Sequence, residues 1–97
     1  MFRHIVLYRL KDRSEESKRA LKERFLSLNG QVPQIRALEA GTDVLYSGRS
    51  YDVCLSILFD QKEDLAAYKA HPFHVGVSEY VHGVIETSVS CDYEVDA

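Results

Sequence analysis

Two periodicities run along the chain. Phe2 to Leu10 is dense in β-branched and aromatic residues and apolar on both faces, with Ile5 and Leu7 on one side and His4, Val6, Tyr8 and Leu10 on the other. A strand with two apolar faces needs two covers, and the chain's own helices can supply one. After the polar turn Lys11-Asp12-Arg13, Leu21, Phe25, Leu28 and Val32 recur at helical spacing. Ser14 is placed to cap that helix, Glu15 and Glu16 suit its first turn, and Asn29-Gly30 with Pro33 supplies the stop. Residues 35–45 and 51–59 read as two further strands joined by a loop at 46–50, with Gly41 marking a bulge or bend in the former. Val53, Leu55, Ile57 and Phe59 share one face of the latter; Asp52, Cys54, Ser56 and Leu58 share the other. Asp60 and Glu63 have the spacing of a capping box and open a second helix. Pro72 interrupts it, and a further helical piece runs to about Val81 with Phe73, Val77, Tyr80 and Val81 on one face, ending at His82-Gly83. Finally Ile85, Thr87, Val89, Cys91, Tyr93 and Val95 alternate with Glu86, Ser88, Ser90, Asp92 and Glu94, the period-two signature of an edge strand with one wet face.

The order β-α-β-β-α-β is that of α+β ferredoxin-like folds: a four-stranded antiparallel sheet with helices on one face, in a single domain over residues 1–97. The other sheet face still carries apolar residues. That predicts a homodimer by sheet-to-sheet packing, a dimeric α+β barrel.

Charge and composition narrow the picture further. The chain has 97 residues, 45% of them hydrophobic, and its 12 basic residues are outnumbered by 15 acidic ones. That balance gives no electrostatic footprint for nucleic acid. Lys18, Arg19, Lys22 and Arg24 intermix with Glu15, Glu16 and Glu23, which reads as a solvated helix face. No apolar run is long enough to cross a membrane, and the start lacks the pattern of a secretory signal. Cys54 and Cys91 are therefore expected as reduced thiols in a cytoplasmic protein.

No motif for zinc proteases, dithiol redox chemistry, phosphate loops, dinucleotides or serine hydrolases occurs. The stretch Tyr68-Lys-Ala-His71-Pro72-Phe73-His74 holds the most chemistry. A phenol and two imidazoles flank a proline break that can aim them at one point. A histidine titrating near neutrality with a tyrosine hydroxyl in reach is a workable acid–base pair, the phenol polarising a carbonyl while the imidazole moves a proton. The same residues also admit purely structural roles: His71 as a cap, Tyr68 as packing, His74 bonded to backbone. His71 and His74 lack a nearby third ligand, so no metal is expected. His4 gains value only if its strand face lies under the second helix, and His82 reads as a partner of a helix C-terminus.

His4-Ile-Val-Leu, Val32-Pro-Gln-Ile35, Tyr51-Asp52, Tyr68-Lys-Ala-His71-Pro-Phe-His74-Val75 and Cys91-Asp-Tyr-Glu-Val95 together resemble the stress-responsive A/B barrel, or Dabb, domain family over nearly the whole chain. The resemblance implies a ferredoxin-like protomer, a sheet-to-sheet homodimer, and a cavity between sheet and helices for a small apolar or aromatic ligand. Most members have no defined activity. In cofactor-free polyketide cyclases of the family, a histidine and a tyrosine act as acid and base. The matching positions are His74 and Tyr68, with His4 as a pocket histidine. Val6, Tyr8, Phe25, Val53, His71, Phe73 and Val77 are the expected ligand contacts. Phe25 stands where the cyclases have a tyrosine and Val53 where they have a histidine, which removes two polar groups. Some plant relatives hold a cation through carbonyls at the end of the first helix, about Leu26, Asn29 and Val32 here.

Overall fold

The computed structural model describes residues 1–96. Its elements are β1 (Phe2–Leu10), α1 (Glu15–Leu26), β2 (Ile35–Thr42), β3 (Val53–Phe59), α2 (Asp64–Ala70), α3 (Pro72–Val84) and β4 (Ile85–Glu94). The strands form one sheet in the order β2-β3-β1-β4 with every neighbouring pair antiparallel, the ferredoxin-like arrangement. Strands β1 and β3 share the centre, so the doubly apolar β1 lies where both its edges are paired.

The alternation in β1 and β3 settles which face the helices cover. Phe2, His4, Val6, Tyr8 and Leu10 of β1 are buried, as are Val53, Leu55, Ile57 and Phe59 of β3. Leu21 and Phe25 of α1, Leu28 and Val32 just beyond it, Tyr68 of α2 and Val77 and Val81 of α3 complete one apolar core. Ser14 caps α1 as expected, its side chain accepting from the Ser17 N–H.

The edge strand β4 is phased against the usual pattern. His4 stands opposite Asp92, Val6 opposite Ser90 and Tyr8 opposite Ser88, so the polar half of β4 turns toward the helices. Thr87, Val89, Cys91 and Tyr93 fall with Ile5 and Leu7 on the helix-free face, where Val89 and Tyr93 are 46% and 45% exposed. The wet face predicted from the alternation is therefore the face under α3, and the apolar half is left bare.

Several local expectations are corrected. The second and third strands are shorter than their patterns, because residues 43–52 form a loop held by Asp52. That carboxylate is buried (2% exposed) rather than set beside Cys54 and Ser56 on the open face. It accepts from the Leu10 N–H at 2.8 Å and from Arg13 Nε at 3.0 and 3.1 Å. Gly41 stays in register opposite Cys54, and the irregularity lies at Ile35–Ala37. No capping box opens α2. Asp60 instead binds Arg36, and the helix begins at Asp64 without a side-chain cap. The last helix continues through His82-Gly83 to Val84. Lys18 does not belong to a solvated face: it is 2% exposed, with Nζ 3.5 Å from Glu15 Oε1 and 4.4 Å from the Tyr46 ring centroid. The Tyr46 hydroxyl donates to Glu15, closing the loop over the lysine. Helical spacing alone could have flagged Lys18, since it precedes Leu21 and Phe25 by three and seven residues on the same stripe.

Asp52→Ala removes the acceptor of a buried backbone N–H and the partner of Arg13. Urea unfolding of this variant is expected to show a loss of about 2–3 kcal/mol. A loss within the scatter of an ordinary surface substitution would contradict the anchoring role.

Candidate active site

Pro72 sits at the first position of α3, and His71 is held extended (φ −66°, ψ 134°) between α2 and α3. The break has two consequences. His71 spends its Nδ1 on the Phe73 N–H at 3.1 Å, a structural cap. The α2 carbonyl of Lys69, no longer needed by a continuing helix, accepts from His74 Nδ1 at 3.0 Å. The His74 ring thereby folds back onto Tyr68, their ring centroids 4.4 Å apart at 56°. His4 approaches the same phenol from β1, its ring centroid 6.4 Å from that of Tyr68.

These three side chains line a cavity of about 360 Å³ between α3 and the β1–β4 side of the sheet. Val6, Tyr8, Phe25, Val77 and Val81 form its apolar wall. Ser88 and Ser90 of β4, Ser78 and His82 of α3 and Lys69 of α2 add polar groups to its lining. Tyr8 and Phe25 stack at 5.0 Å, leaving space beside them rather than filling it.

The electrostatics favour neutral, ready groups. A carbonyl can only accept, so His74 carries its proton on Nδ1 and presents the lone pair of Nε2. Burial pushes the His74 pKa below its usual 6.5, against the opposing pull of the Lys69 carbonyl. The ring is thus an unprotonated base at neutral pH. Burial raises both phenols, Tyr8 to about 12 and Tyr68 beyond the ordinary tyrosine range, so each acts as a neutral hydroxyl donor. Neither hydroxyl is among the polar atoms shut away without a partner. His4 pairs through Nδ1 with the carboxylate of Asp92, which is one-third exposed on β4. Its second nitrogen is then the one free for a ligand.

Of the expected site residues, His4, Val6, Tyr8, Phe25, Tyr68, His74 and Val77 converge on the cavity. Three do not. Val53 is buried deeper in the core, His71 is committed to its cap, and Phe73 points outward at 37% exposure because it follows Pro72 on the far side of the first turn. Asp92, Ser78, Ser88, Ser90, Val81 and His82 join the site without having been singled out for it. Asp92, Ser88 and Ser90 carry the polar half of the β4 alternation, and only the register opposite His4, Val6 and Tyr8 reveals that this half faces the cavity. Among the described residues no cluster of three or more histidines, cysteines or carboxylates is placed to hold a metal ion.

A two-layer ferredoxin-like sheet with a histidine–tyrosine cavity under its last helix defines the class of protein. Residues 2–95 match the Stress responsive A/B Barrel Domain, and the chain belongs to that family. An uncharacterized protein of Streptomyces coelicolor is 33% identical, with 97% of this chain and 99% of that one covered. Among solved structures, a dimeric protein of unknown function with a ferredoxin-like fold from Bacteroides fragilis superposes with a TM-score of 0.82 at 29% identity, covering 97% of this chain and 95% of that one. A hydroxynitrile lyase from Passiflora edulis matches at TM-score 0.82 over 98% of this chain and 93% of that one, and its 18% identity makes that a likeness of fold. None of the helices described here is long and apolar enough to cross a membrane.

A histidine NMR titration checks the electrostatics: His74 is expected to titrate below 6.5 and to stay in the Nδ1–H form at pH 7. The unfolded chain binds this proton more tightly, so His74 also lowers stability as pH falls from about 6.5 through its folded pKa. A His74 titrating above 6.5 would contradict the site as described.

Proposed function

We propose that the protein is a homodimer, its helix-free sheet faces packed on each other, and that each cavity takes a small apolar or aromatic carbonyl compound for acid–base chemistry by His74 and Tyr68. The observation that carries the reading is the convergence of His74, Tyr68 and His4 on one open cavity. In this arrangement the Tyr68 hydroxyl donates to the carbonyl oxygen and His74 Nε2 takes a proton from the neighbouring carbon, leaving an enolate held by the phenol. Returning the proton to the same or another atom completes an exchange or an isomerisation, so no group beyond these side chains is required. His4, fixed by Asp92, orients the ligand. The dimeric relative from Bacteroides fragilis supports the assembly. The lyase of the same fold supports the view that this scaffold hosts catalysis, while the chemistry proposed here rests on this chain's residues.

A second reading, ligand binding without turnover, is favoured by the burial of Tyr68, which is 2% exposed with its ring packed between Phe59 and His74. The two are separated by deuterium uptake at the methyl group of acetophenone in D2O, followed by NMR on protein shown by sedimentation to be dimeric at micromolar concentration. The parent is expected to accelerate exchange. His74→Ala should cut the acceleration about 10²-fold or more, and Tyr68→Phe by a similar factor. Exchange equal in parent and variants, or no faster than in buffer, would remove catalysis and leave binding; a monomer would remove the assembly.

A further inference from the structure

On the helix-free face the strand pairing fixes a grid of side chains. Gly41, Cys54, Leu7 and Val89 stand across from one another as one row, and Ala37, Leu58, Arg3 and Tyr93 as the row at the other end. Between them runs a row with Glu39 at its β2 end and Cys91 at its β4 end. Four residues along a strand span about 14 Å and three strand spacings about the same, so the grid is nearly square. Its diagonal corners differ in shape. At one, a hollow of about 390 Å³ is lined by Gly41, Cys54 and Leu7 and by Arg49, Ser50 and Tyr51 of the loop before β3. A Cβ added at Gly41 would meet nothing, so the missing side chain leaves open space. At the opposite corner Tyr93 stands out, 45% exposed. The face also carries Glu39 and Arg3. Neither has an ion-pair partner among the described residues, and Arg3 donates one N–H to Ser56 Oγ at 2.8 Å.

We infer that a second copy of this chain covers the face orthogonally, about a twofold axis running from the Ala37 corner to the Val89 corner, so that each Tyr93 fills the hollow over the partner's Gly41 and each Glu39 pairs with the partner's Arg3. This deepens the assembly proposed above and rests on it. An interface about a twofold is self-complementary, so a knob on one copy must meet a hole at the symmetry-related place on the other. Sheets packed face to face cross at about −30° or about 90°, and on a square grid the orthogonal choice lays rows on strands. Cys91 then lies over the partner's Cys54 and Leu7, apolar on apolar. Other axes lose the match. An axis along the strands sets Glu39 on the partner's Cys91 and Arg3 on the partner's Leu58. An axis across the strands sets Glu39 on the partner's Glu39. The other diagonal sets Tyr93 on the partner's Tyr93 and lays Glu39 over the partner's Cys54 and Leu7, a desolvation cost with no compensating charge. The first diagonal alone fills the hollow and pairs both charges, and it does each twice.

The test is the dimer dissociation constant of the full chain, measured by sedimentation equilibrium in two independent swaps. Arg3→Glu and Glu39→Arg each set like charges against one another and are expected to raise the constant about tenfold or more, and the double variant Arg3→Glu, Glu39→Arg should return it to within a few-fold of the parent. Gly41→Phe fills the hollow from its own side and is expected to weaken the dimer by a similar factor. Gly41 holds no positive φ, so the added side chain does not strain the strand itself. Adding Tyr93→Ala to Gly41→Phe makes room again and should recover the loss. The inference is overturned if charge reversal leaves the constant unchanged, if the double charge variant is no tighter than either single one, or if Gly41→Phe dimerises like the parent. In each of these cases a dimeric parent leaves the assembly proposed above standing. A monomeric parent removes both.

Discussion

The register of β4 on β1 is the constraint on which the rest depends. Side chains alternate along a strand, so sliding β4 by one residue would exchange every inward and outward group. With His4 opposite Asp92, one choice of phase does three things at once. It gives His4 its carboxylate, lines the cavity with hydroxyls, and leaves Val89, Cys91 and Tyr93 on the helix-free face beside Ile5 and Leu7. An apolar half turned to water at the edge of a sheet is a costly arrangement for a lone chain. A second copy covering that face, as proposed, would remove the cost, so the proposed chemistry and the proposed assembly both depend on the same pairing.

The proline break is the second device. A continuous helix over residues 64–84 would use the Lys69 carbonyl for its own ladder and carry His74 away from Tyr68. The break frees that carbonyl, which fixes the His74 tautomer and leaves the other nitrogen unused in a ring that lines the cavity. Burial then works on both partners in a single direction, keeping the imidazole unprotonated and the phenols protonated. In the proposed function one structural hydrogen bond serves the chemistry, with His71 taking the cap and His74 left for the base.

Most of the fold was legible because it is written in local periodicity. Leu21, Phe25 and Leu28 mark α1, Val53 to Phe59 mark the inner face of β3, and the period-two run marks β4. What periodicity cannot show is where a polar side chain ends. Asp52 and Lys18 look like surface residues in a list, yet one anchors a loop through the Leu10 N–H and the other lies beneath Tyr46. Asp60 has the spacing of a cap but finds Arg36, a stronger partner brought near by the sheet. At the site, His74, Tyr68 and His4 were legible through the family's pattern. Ser88, Ser90 and Asp92 were not, because the same alternation fits either phase until the strand is paired. Phe73 was misplaced for a related reason: the direction in which a residue leaves the turn after Pro72 depends on the break's geometry.

Cys91 reports on that phase directly, since it stands opposite Ile5 on the helix-free face and is exposed in a single chain. The decisive measurement is the alkylation rate of Cys91 in the native protein, compared with a Val89→Asp variant that places a charge on the same face. The account predicts slow alkylation in the parent, many-fold faster in the variant, because a second copy shields the thiol. Rapid alkylation at the same rate in both proteins would show the face to be bare and would contradict it.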